Sequence, residues 1–154
     1  MTEQPARNAE QRKQDTLRRL ERDVDLWVAS ADADGGAPYL VPLSFVWDGE
    51  TLLVATPAAS PTGRNLATTG TARLGIGPTR DVVMVDGTVT PVELADLPEE
   101  EAELFPARTG FDPRGLKTRY RYFRIRPQRV QAWREANELD GRDLMRDGKW
   151  LVAD

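Results

Sequence analysis

The chain has 154 residues, of which 40% are apolar and 30% charged, which suits one globular domain with its own hydrophobic core. Its net charge of -4 weighs against nucleic-acid binding, and no apolar run is long enough for a transmembrane helix. Cysteine and histidine are both absent, which excludes disulfides, a thiol nucleophile, a Ser-His-Asp triad, Cys- or His-ligated metal and His-ligated haem. Any chemistry must use carboxylates, Arg, Lys, Tyr or a bound cofactor.

The N-terminal segment is polar. Residues 1–12 contain few apolar anchors and are predicted to be a flexible tail, so that residues 13–154 form the single domain. The segment lacks the apolar stretch of a signal peptide, and the absence of cysteine suits a reducing compartment. We therefore expect a cytoplasmic protein.

The first helix is predicted over residues 11–25. Three apolar residues recur there at spacings of three and four and share one helical face, namely Leu17, Leu20 and Val24. The period then changes, and residues 26–30 are predicted to be a short strand. A cluster of turn-forming residues follows at 32–36.

A hairpin is predicted next. Residues 38–47 alternate in the manner of a strand, and Pro42 within it indicates an edge or a bulge, where a ladder donor can be spared. Asp48-Gly49 suits a type I′ turn, because both central residues of that turn need positive φ. Residues 51–56 are then the returning strand.

A short helix is predicted between Ser60 and Gly70. Ser60 is a favourable N-cap, Pro61 suits the first helical position, and Gly70 suits the C-terminal stop. The sequence around this helix start is the most informative part of the chain about function.

The start of this helix resembles an anion site. The amides of Thr62 and Gly63 are expected to face outward at the positive end of the helix dipole, with Arg64 beside them, where a phosphate would fit. The structural alternative carries equal weight: Ser60 merely caps the helix, Gly63 permits a tight bend, and Arg64 is solvated.

The remaining segments complete a mainly antiparallel pattern. They are strands at 71–77 and 82–94 with a bulge or bend at Asp86-Gly87, a helix opened by a capping box at 96–99, a loop at 106–116, a strand at 120–133 and a hairpin turned by Asp147-Gly148. Together they predict a mainly β fold, an antiparallel barrel with helices on its outside.

Two basic segments have alternative interpretations. The run from Arg114 to Arg129 could gather an anionic cofactor or substrate, but a solvated surface balanced by the acidic helix at 99–103 is favoured because the net charge is negative. Arg80 could approach the site from the loop after the fourth strand, but an exposed pair with Asp81 is favoured.

The order of these elements resembles a known family. A strand, an Asp-Gly hairpin, a strand ending in Thr56-Pro57, then Arg64-Asn65-Leu66 and a closing strand at 122–133 resemble the pyridoxamine 5′-phosphate oxidase-like, flavin-binding split-barrel family. The resemblance covers residues 20–135. It implies a six-stranded antiparallel split barrel, a homodimer, and a flavin or deazaflavin cofactor at the dimer interface.

The resemblance also implies which residues hold the cofactor. The backbone of Val41-Pro42-Leu43-Ser44 would border the isoalloxazine ring, and Trp133 would pack near the ring or across the interface. Thr56 and the loop at 60–65 would hold the ribityl chain and the phosphate. The implied cofactor-binding residues are Pro42, Ser44, Thr56, Ser60, Thr62, Gly63, Arg64, Asn65 and Trp133.

The chain departs from the family at the phosphate. Many relatives place Arg or Lys where this chain has Ser60 and Thr62, so that only Arg64 remains as a cation in the loop. Each missing charge-assisted pair removes about 1.5–3 kcal/mol of binding energy. The resemblance implies an oxidoreductase that transfers hydride to or from an unknown small molecule, with FMN favoured over a deazaflavin and no protein residue assigned as catalytic. The alternative is a non-catalytic cofactor-binding or interaction protein on the same barrel, with a degenerate phosphate site.

Overall fold

Residues 4–153 are described by the computed structural model, and they form eight strands and three α-helices. The strands are β1 (Asp25–Ala31), β2 (Pro38–Trp47), β3 (Leu52–Pro57), β4 (Thr71–Ile76), β5 (Val82–Val92), β6 (Tyr120–Trp133), β7 (Asp143–Arg146) and β8 (Lys149–Trp150). The helices are α1 (Ala9–Arg22), α2 (Pro61–Thr69) and α3 (Glu99–Thr109), and two 3₁₀ turns span Leu94–Asp96 and Ala136–Glu138. No helix within the described residues is long and apolar enough to cross a membrane.

Six of the strands close into a barrel. Their order is β3-β2-β1-β4-β5-β6, β6 pairs back onto β3, and every pairing is antiparallel. Strands β7 and β8 extend the sheet beyond β6. The predicted fold, a mainly β six-stranded antiparallel barrel with flanking helices, is confirmed.

The barrel interior is built by alternation of side chains along the strands. Every second residue points inward, and the largest inward group includes Val28, Phe45, Leu52, Leu74 and Phe123, all buried. A second, smaller cluster lies outside the barrel wall, where α3 covers β3 and β6. It includes Leu53, Ala55, Phe105 and Tyr122, so this helix is held by apolar packing.

The barrel is split along β2. Residues 38–44 of β2 pair with β1, whereas residues 45–47 pair with β3 on the opposite side. The amide of Phe45 donates to the Val24 carbonyl at 2.8 Å, on the side of β1. Because backbone groups alternate in direction along a strand, those of Leu40, Pro42 and Ser44 face the side without a partner strand. Pro42 therefore costs no ladder hydrogen bond, and its predicted edge position is confirmed.

The N-terminal helix begins earlier than the sequence indicated. It starts at Ala9 with Asn8 as N-cap, and the Asn8 side chain accepts a hydrogen bond from the amide of Gln11. The prediction of a flexible tail over residues 1–12 is therefore wrong for residues 9–12, and residues 1–3 lie outside the described part. The helix also buries polar side chains, Arg12, Lys13 and Thr16, beside Leu20.

An ionic network explains that polar face. The Arg7 guanidinium donates to both carboxylate oxygens of Glu138, at 2.7 and 3.0 Å, and Arg12 donates to the Ala132 and Glu138 carbonyls. Glu138 is only 2% exposed. The hydrogen bonds from Arg7 hold the pKa of the Glu138 carboxyl at about 2, well below its ordinary value, although burial opposes this. Charge pairing therefore fixes α1 to the segment after β6.

Several local predictions need correction. The loop after β2 is a hairpin, but Asp48 does not have positive φ; its carboxylate instead accepts the amides of Glu50 and Thr51 at 2.8 and 2.6 Å. Positive φ at both central residues occurs at Asp147-Gly148. The capping box at 96–99 is wrong, because Pro98 is the N-cap of α3 and makes no side-chain cap.

The prediction for the end of α3 is wrong, whereas the prediction of a bulge in β5 is confirmed. The loop predicted from 106 begins only after Thr109, because α3 continues through Pro106 to a left-handed Gly110. The bulge at Asp86-Gly87 is confirmed by a register shift against β6. A Cβ on Gly87 would lie 2.6 Å from the Ile125 side chain, which explains the glycine.

Candidate functional site

Helix α2 follows β3 where the barrel splits, and it packs against β1, β2, β3 and β5. Ser60 is its N-cap, Pro61 occupies the first turn, and Gly70 ends it in the left-handed conformation, as predicted. The segment therefore has the predicted form. Whether it can bind an anion depends on which of its donors are already used.

The hydroxyl of Ser60 is fully used within the chain. It donates to the Pro57 carbonyl at 2.8 Å and accepts from the Gly63 amide at 3.0 Å. The Thr56 hydroxyl oxygen lies 3.4 Å from the Ser60 hydroxyl oxygen. Because Ser60 donates its only hydrogen to Pro57, Thr56 is the donor in this contact. One hydrogen and two lone pairs are then all engaged, and none remains for a phosphate oxygen.

The glycine at 63 is required by the fold of the chain itself. A Cβ on Gly63 would lie 2.4 Å from the Pro57 carbonyl oxygen and 2.9 Å from that of Ala58. The close approach that glycine permits is thus to the preceding turn. The prediction that the Gly63 amide faces outward is wrong, because that amide bonds to Ser60.

Few donors are left at the start of α2. The amide of Arg64 donates to the Ser60 carbonyl at 2.9 Å, and Pro61 has no amide hydrogen. Within residues 4–153 only the Thr62 amide of the first turn is without a partner. The Thr62 hydroxyl is buried, like the whole residue at 2% exposure, and has no hydrogen-bond partner in the described chain. With one free amide, and with Arg64 as the single cation of residues 60–65, these residues lack the paired cations that would clamp a phosphate.

Arg64 and Asn65 lie on the side of α2 that faces the loop between β1 and β2. Arg64 is exposed, makes no ion pair with any described residue, and lines a groove of about 460 Å³ together with Asp32 and Asp34. The side-chain amide of Asn65 donates to the Ser30 hydroxyl at 3.2 Å and so fastens α2 to β1. Arg64 is the one free cation among the site residues implied by the resemblance, but two carboxylates share its groove.

Pro42 and Ser44 lie in a different groove, of about 630 Å³, on the outer face of β1 and β2. The Ser44 hydroxyl donates to the Asp25 carboxylate at 2.9 Å. Trp27 stands opposite Pro42 in the β1–β2 pairing and is 51% exposed. Sequence analysis did not select Trp27 or Asp25, although Trp27 alternates with the inward Leu26 and Val28 and is therefore an outward tryptophan.

Trp133 lies apart from both grooves. It is at the end of β6, opposite Val82, and is half-buried. It lines neither the groove of Arg64 nor that of Pro42. The implied site residues therefore form four groups: Thr56, Ser60, Thr62 and Gly63 at the start of α2, Arg64 and Asn65 on the side of that helix, Pro42 and Ser44 at the edge of β2, and Trp133 alone.

The basic run on β6 is neutralised by carboxylates. Arg119 and Arg121 both bind Glu93, and the hydrogen bond from Arg119, followed by that from Arg121, lowers the pKa of the Glu93 carboxyl. The other pairs are Arg114 with Asp112 and Glu103, Arg124 with Glu101 and Asp48, Arg126 with Glu50, and Arg129 with Asp143. A charge-balanced surface is therefore confirmed, but among these described arginines only Arg114 and Arg124 pair with the acidic helix at 99–103.

The predicted pairing of Arg80 with Asp81 is wrong. Arg80 binds Glu135 at 3.0 Å, whereas Asp81 binds Arg19 of α1 at 2.8 Å. Arg80 therefore does not reach the site either.

Comparison with known families finds a match to the family model described as pyridoxamine 5′-phosphate oxidase, over residues 14–134. No curated protein sequence matches the chain. Among solved structures, an F420 reductase is 20% identical with a TM-score of 0.61 and covers 73% of this chain and 93% of its own. A FAD-binding protein from Mesorhizobium loti is 20% identical with a TM-score of 0.56, and the match covers 76% of this chain and 90% of that protein's chain. The haem storage protein HutZ from Vibrio cholerae is 18% identical with a TM-score of 0.58, and the match covers 79% of this chain and 94% of that protein's chain.

Proposed function

The chain belongs to the pyridoxamine 5′-phosphate oxidase family, and on that premise we propose that it is a flavin- or deazaflavin-dependent oxidoreductase whose cofactor ring lies along the open side of β2. The cofactor would supply the hydride chemistry, acting on a small molecule, and the protein would supply position and shielding from water. This suits a chain without histidine or cysteine, because no protein nucleophile or imidazole base is required.

The observation that carries the proposal is the open side of β2. Three carbonyls, of Leu40, Pro42 and Ser44, and two amides, of Leu40 and Ser44, face it without a partner strand. The pyrimidine end of a flavin or deazaflavin carries both N–H and C=O groups in its plane, and it can bond to such an edge as an added strand would. Because Pro42 has no amide hydrogen, carbonyl acceptors outnumber amide donors on this side, which favours a ring that donates there.

The phosphate end is proposed to lie in solvent. The start of α2 does not fit a clamped phosphate, so neither Ser60 nor Thr62 is assigned a role in binding one. Arg64 forms no ion pair with the described residues, and Asp32 and Asp34 in its groove oppose an anion. FMN and a deazaflavin would then be held mainly by their rings.

A haem-binding function is less favoured. The chain resembles a haem storage protein in fold, but it has no histidine and no cysteine to act as an axial ligand. A non-catalytic cofactor-binding or interaction protein remains the second candidate, because the missing phosphate clamp favours it.

We also propose that the protein is a homodimer with the cofactor site at the interface. Leu40 is 59% exposed on the outer face of β2, and Tyr39 beside it is also exposed. Large apolar side chains clustered at an unpaired strand favour burial against a second copy. Light scattering coupled to gel filtration tests this, and Leu40→Glu should shift a dimer to monomer.

The proposed function is tested by titrating the protein with FMN, FAD and the deazaflavin F420 while cofactor fluorescence and melting temperature are recorded. At least one should bind and raise the melting temperature. Leu40→Pro removes one of the two backbone amide donors on the open side of β2 and breaks no hydrogen bond to β1. Affinity for the cofactor should therefore fall about fivefold. Leu116→Ala, at an exposed leucine elsewhere, is the control. If none of the three cofactors binds, the enzyme proposal is wrong.

A further inference from the structure

The groove beside Trp27 has the size and shape of a small-molecule site. Its volume of about 630 Å³ lies within the range of ligand pockets. Trp27 and Asp25 of β1, Pro42 and Ser44 of β2, Gly75 of β4 and Gly77 just after β4 line it. Asp23, the residue that ends α1, closes one end.

The indole of Trp27 is available to a ligand. Trp27 pairs with Pro42 on one side and Gly75 on the other, and neither neighbour carries a long side chain. The indole N–H has no hydrogen-bond partner in the part of the chain that the structure describes, and half of the residue is exposed. A planar ring can therefore stack on it.

Gly75 keeps the groove open, although the fold does not require glycine there. Its φ is not in the left-handed region, and a Cβ would meet only the Met84 sulfur at 3.7 Å, an ordinary contact. Gly77 is different, because its φ is +88° and the Arg19 guanidinium packs where a Cβ would lie. A side chain at 75 is thus tolerated by the backbone but would fill the space beside Trp27.

The groove carries negative charge without a compensating cation. Asp25 accepts a hydrogen bond from Ser44, and within residues 4–153 neither Asp25 nor Asp23 forms an ion pair. Arg19, the cation that touches this rim, is engaged by Asp81 at 2.8 Å. Two unpaired carboxylates beside an open indole attract a cation and repel an anion.

We propose that this groove binds the substrate of the reaction, and that the substrate is a planar aromatic ring bearing a positive charge. The ring would stack on Trp27, and its charge would face Asp25 and Asp23. That the bound ring is a substrate rests on the proposed redox function. That the groove binds a cationic aromatic ring does not rest on it. The groove adjoins the open side of β2, so a ring stacked on Trp27 would lie next to the proposed cofactor ring.

The test uses three probes of similar shape and different charge: N-methylquinolinium, neutral quinoline and the anion quinoline-2-carboxylate. Isothermal titration calorimetry on the full chain at neutral pH should show the cation binding about tenfold or more tightly than quinoline. The carboxylate should show no binding. Equal affinity for the cation and the neutral probe would overturn the proposal.

Variants locate the site. Trp27→Leu should weaken N-methylquinolinium binding about tenfold, with partial recovery in Trp27→Phe, and Asp25→Asn should weaken it about fivefold. Gly75→Val should abolish binding without lowering the melting temperature, and Gly75→Ala is its matched control. Unchanged affinity in Trp27→Leu would overturn the proposal. If the parent chain does not bind the cation and Trp27→Leu loses the dimer, the proposal is also wrong, and the groove is a protein interface instead.

The two proposals fail separately. The cofactor titration does not involve the quinoline probes, and the probe titration is made without cofactor. If the cation binds and no cofactor does, the redox function is wrong and the groove remains a cation site. If a cofactor binds and the cation does not, the substrate class is wrong.

Discussion

The Ser60 hydroxyl accepts the Gly63 amide at 3.0 Å, so the cap of α2 uses the donor that a phosphate would need. Ser60 also donates to the Pro57 carbonyl. The sequence pattern of an anion-binding helix start is thus satisfied internally, and the proposed cofactor site moves to the open side of β2. The predictions below test each part of this account.

Ser60→Ala should destabilise the protein through loss of the cap. The substitution removes the acceptor for Gly63 and the donor to Pro57, and the free energy of unfolding should fall by about 1–2 kcal/mol. Thr68→Ala, at an exposed position of the same helix, is the control and should change it by less than about 0.5 kcal/mol. Urea unfolding measures both. A loss of FMN affinity with no loss of stability would show that Ser60 binds the cofactor instead.

Gly63→Ala should be strongly destabilising. The new Cβ would lie 2.4 Å from the Pro57 carbonyl oxygen, and neither backbone segment can move far, so we expect a cost of about 3 kcal/mol or more. Gly75→Ala is the matched control; it meets only the flexible Met84 side chain and should be neutral or stabilising by up to about 1 kcal/mol. Equal melting temperatures for the two variants would contradict the described geometry of the turn.

Arg64→Ala separates a structural from a binding role. Because Arg64 is exposed and forms no ion pair with the described residues, stability should change by less than about 0.5 kcal/mol. Because the phosphate end is proposed to lie in solvent, FMN affinity should change by less than about threefold. A several-fold fall at low salt that shrinks as salt is added would show instead that Arg64 attracts the charged end of the cofactor, and Arg64→Lys, which keeps the charge, would then keep the parent affinity. A fall in stability with unchanged affinity would make Arg64 structural.

Acid should weaken the attachment of α1. The folded pKa of Glu138 is about 2, below its ordinary value of 4.5. The contribution of this carboxylate to the free energy of unfolding is therefore complete above about pH 4.5 and is lost as pH falls towards 2. The shift corresponds to about 3 kcal/mol. Glu138→Gln should lower stability at neutral pH by about 3–5 kcal/mol, because Arg7 and Arg12 lose their buried counter-charge, and it should flatten this pH dependence.

The control for Glu138 is Glu135→Gln. Glu135 pairs with Arg80 in an exposed position, so the substitution should cost less than about 1 kcal/mol. Thermal melts between pH 2 and pH 7 compare the two variants. Equal pH profiles for the parent and Glu138→Gln would show that this carboxylate does not carry the acid sensitivity.

Patterns local in sequence predicted most of the fold. Alternation placed β2, Pro42 identified the edge of the sheet, and Asp86-Gly87 identified the bulge. The polar buried face of α1 could not be predicted, because the carbonyls of Ala132 and Glu138, to which Arg12 donates, lie 120 and 126 residues further along the chain. An apolar periodicity does not indicate a helix face held by hydrogen bonds from a buried cation.

The candidate site could be predicted only in part. The cap at Ser60 was visible in the sequence, but whether its amides were free depended on the turn at Pro57 and Ala58, which folds back onto Gly63. Alternation along β1 places Trp27 on the outer face, but that it lines a groove depends on strands β2 and β4, which pair with β1 on either side. The pairing of Trp27 with Pro42 and Gly75 shows its position.

The most direct test compares riboflavin with FMN, which differ only by the 5′-phosphate. If the ring is held by β2 and the start of α2 is closed by Ser60, the two dissociation constants measured by fluorescence titration should agree within about threefold. Binding of FMN about a hundredfold more tightly than riboflavin would mean about 3 kcal/mol of phosphate recognition, and it would contradict the account.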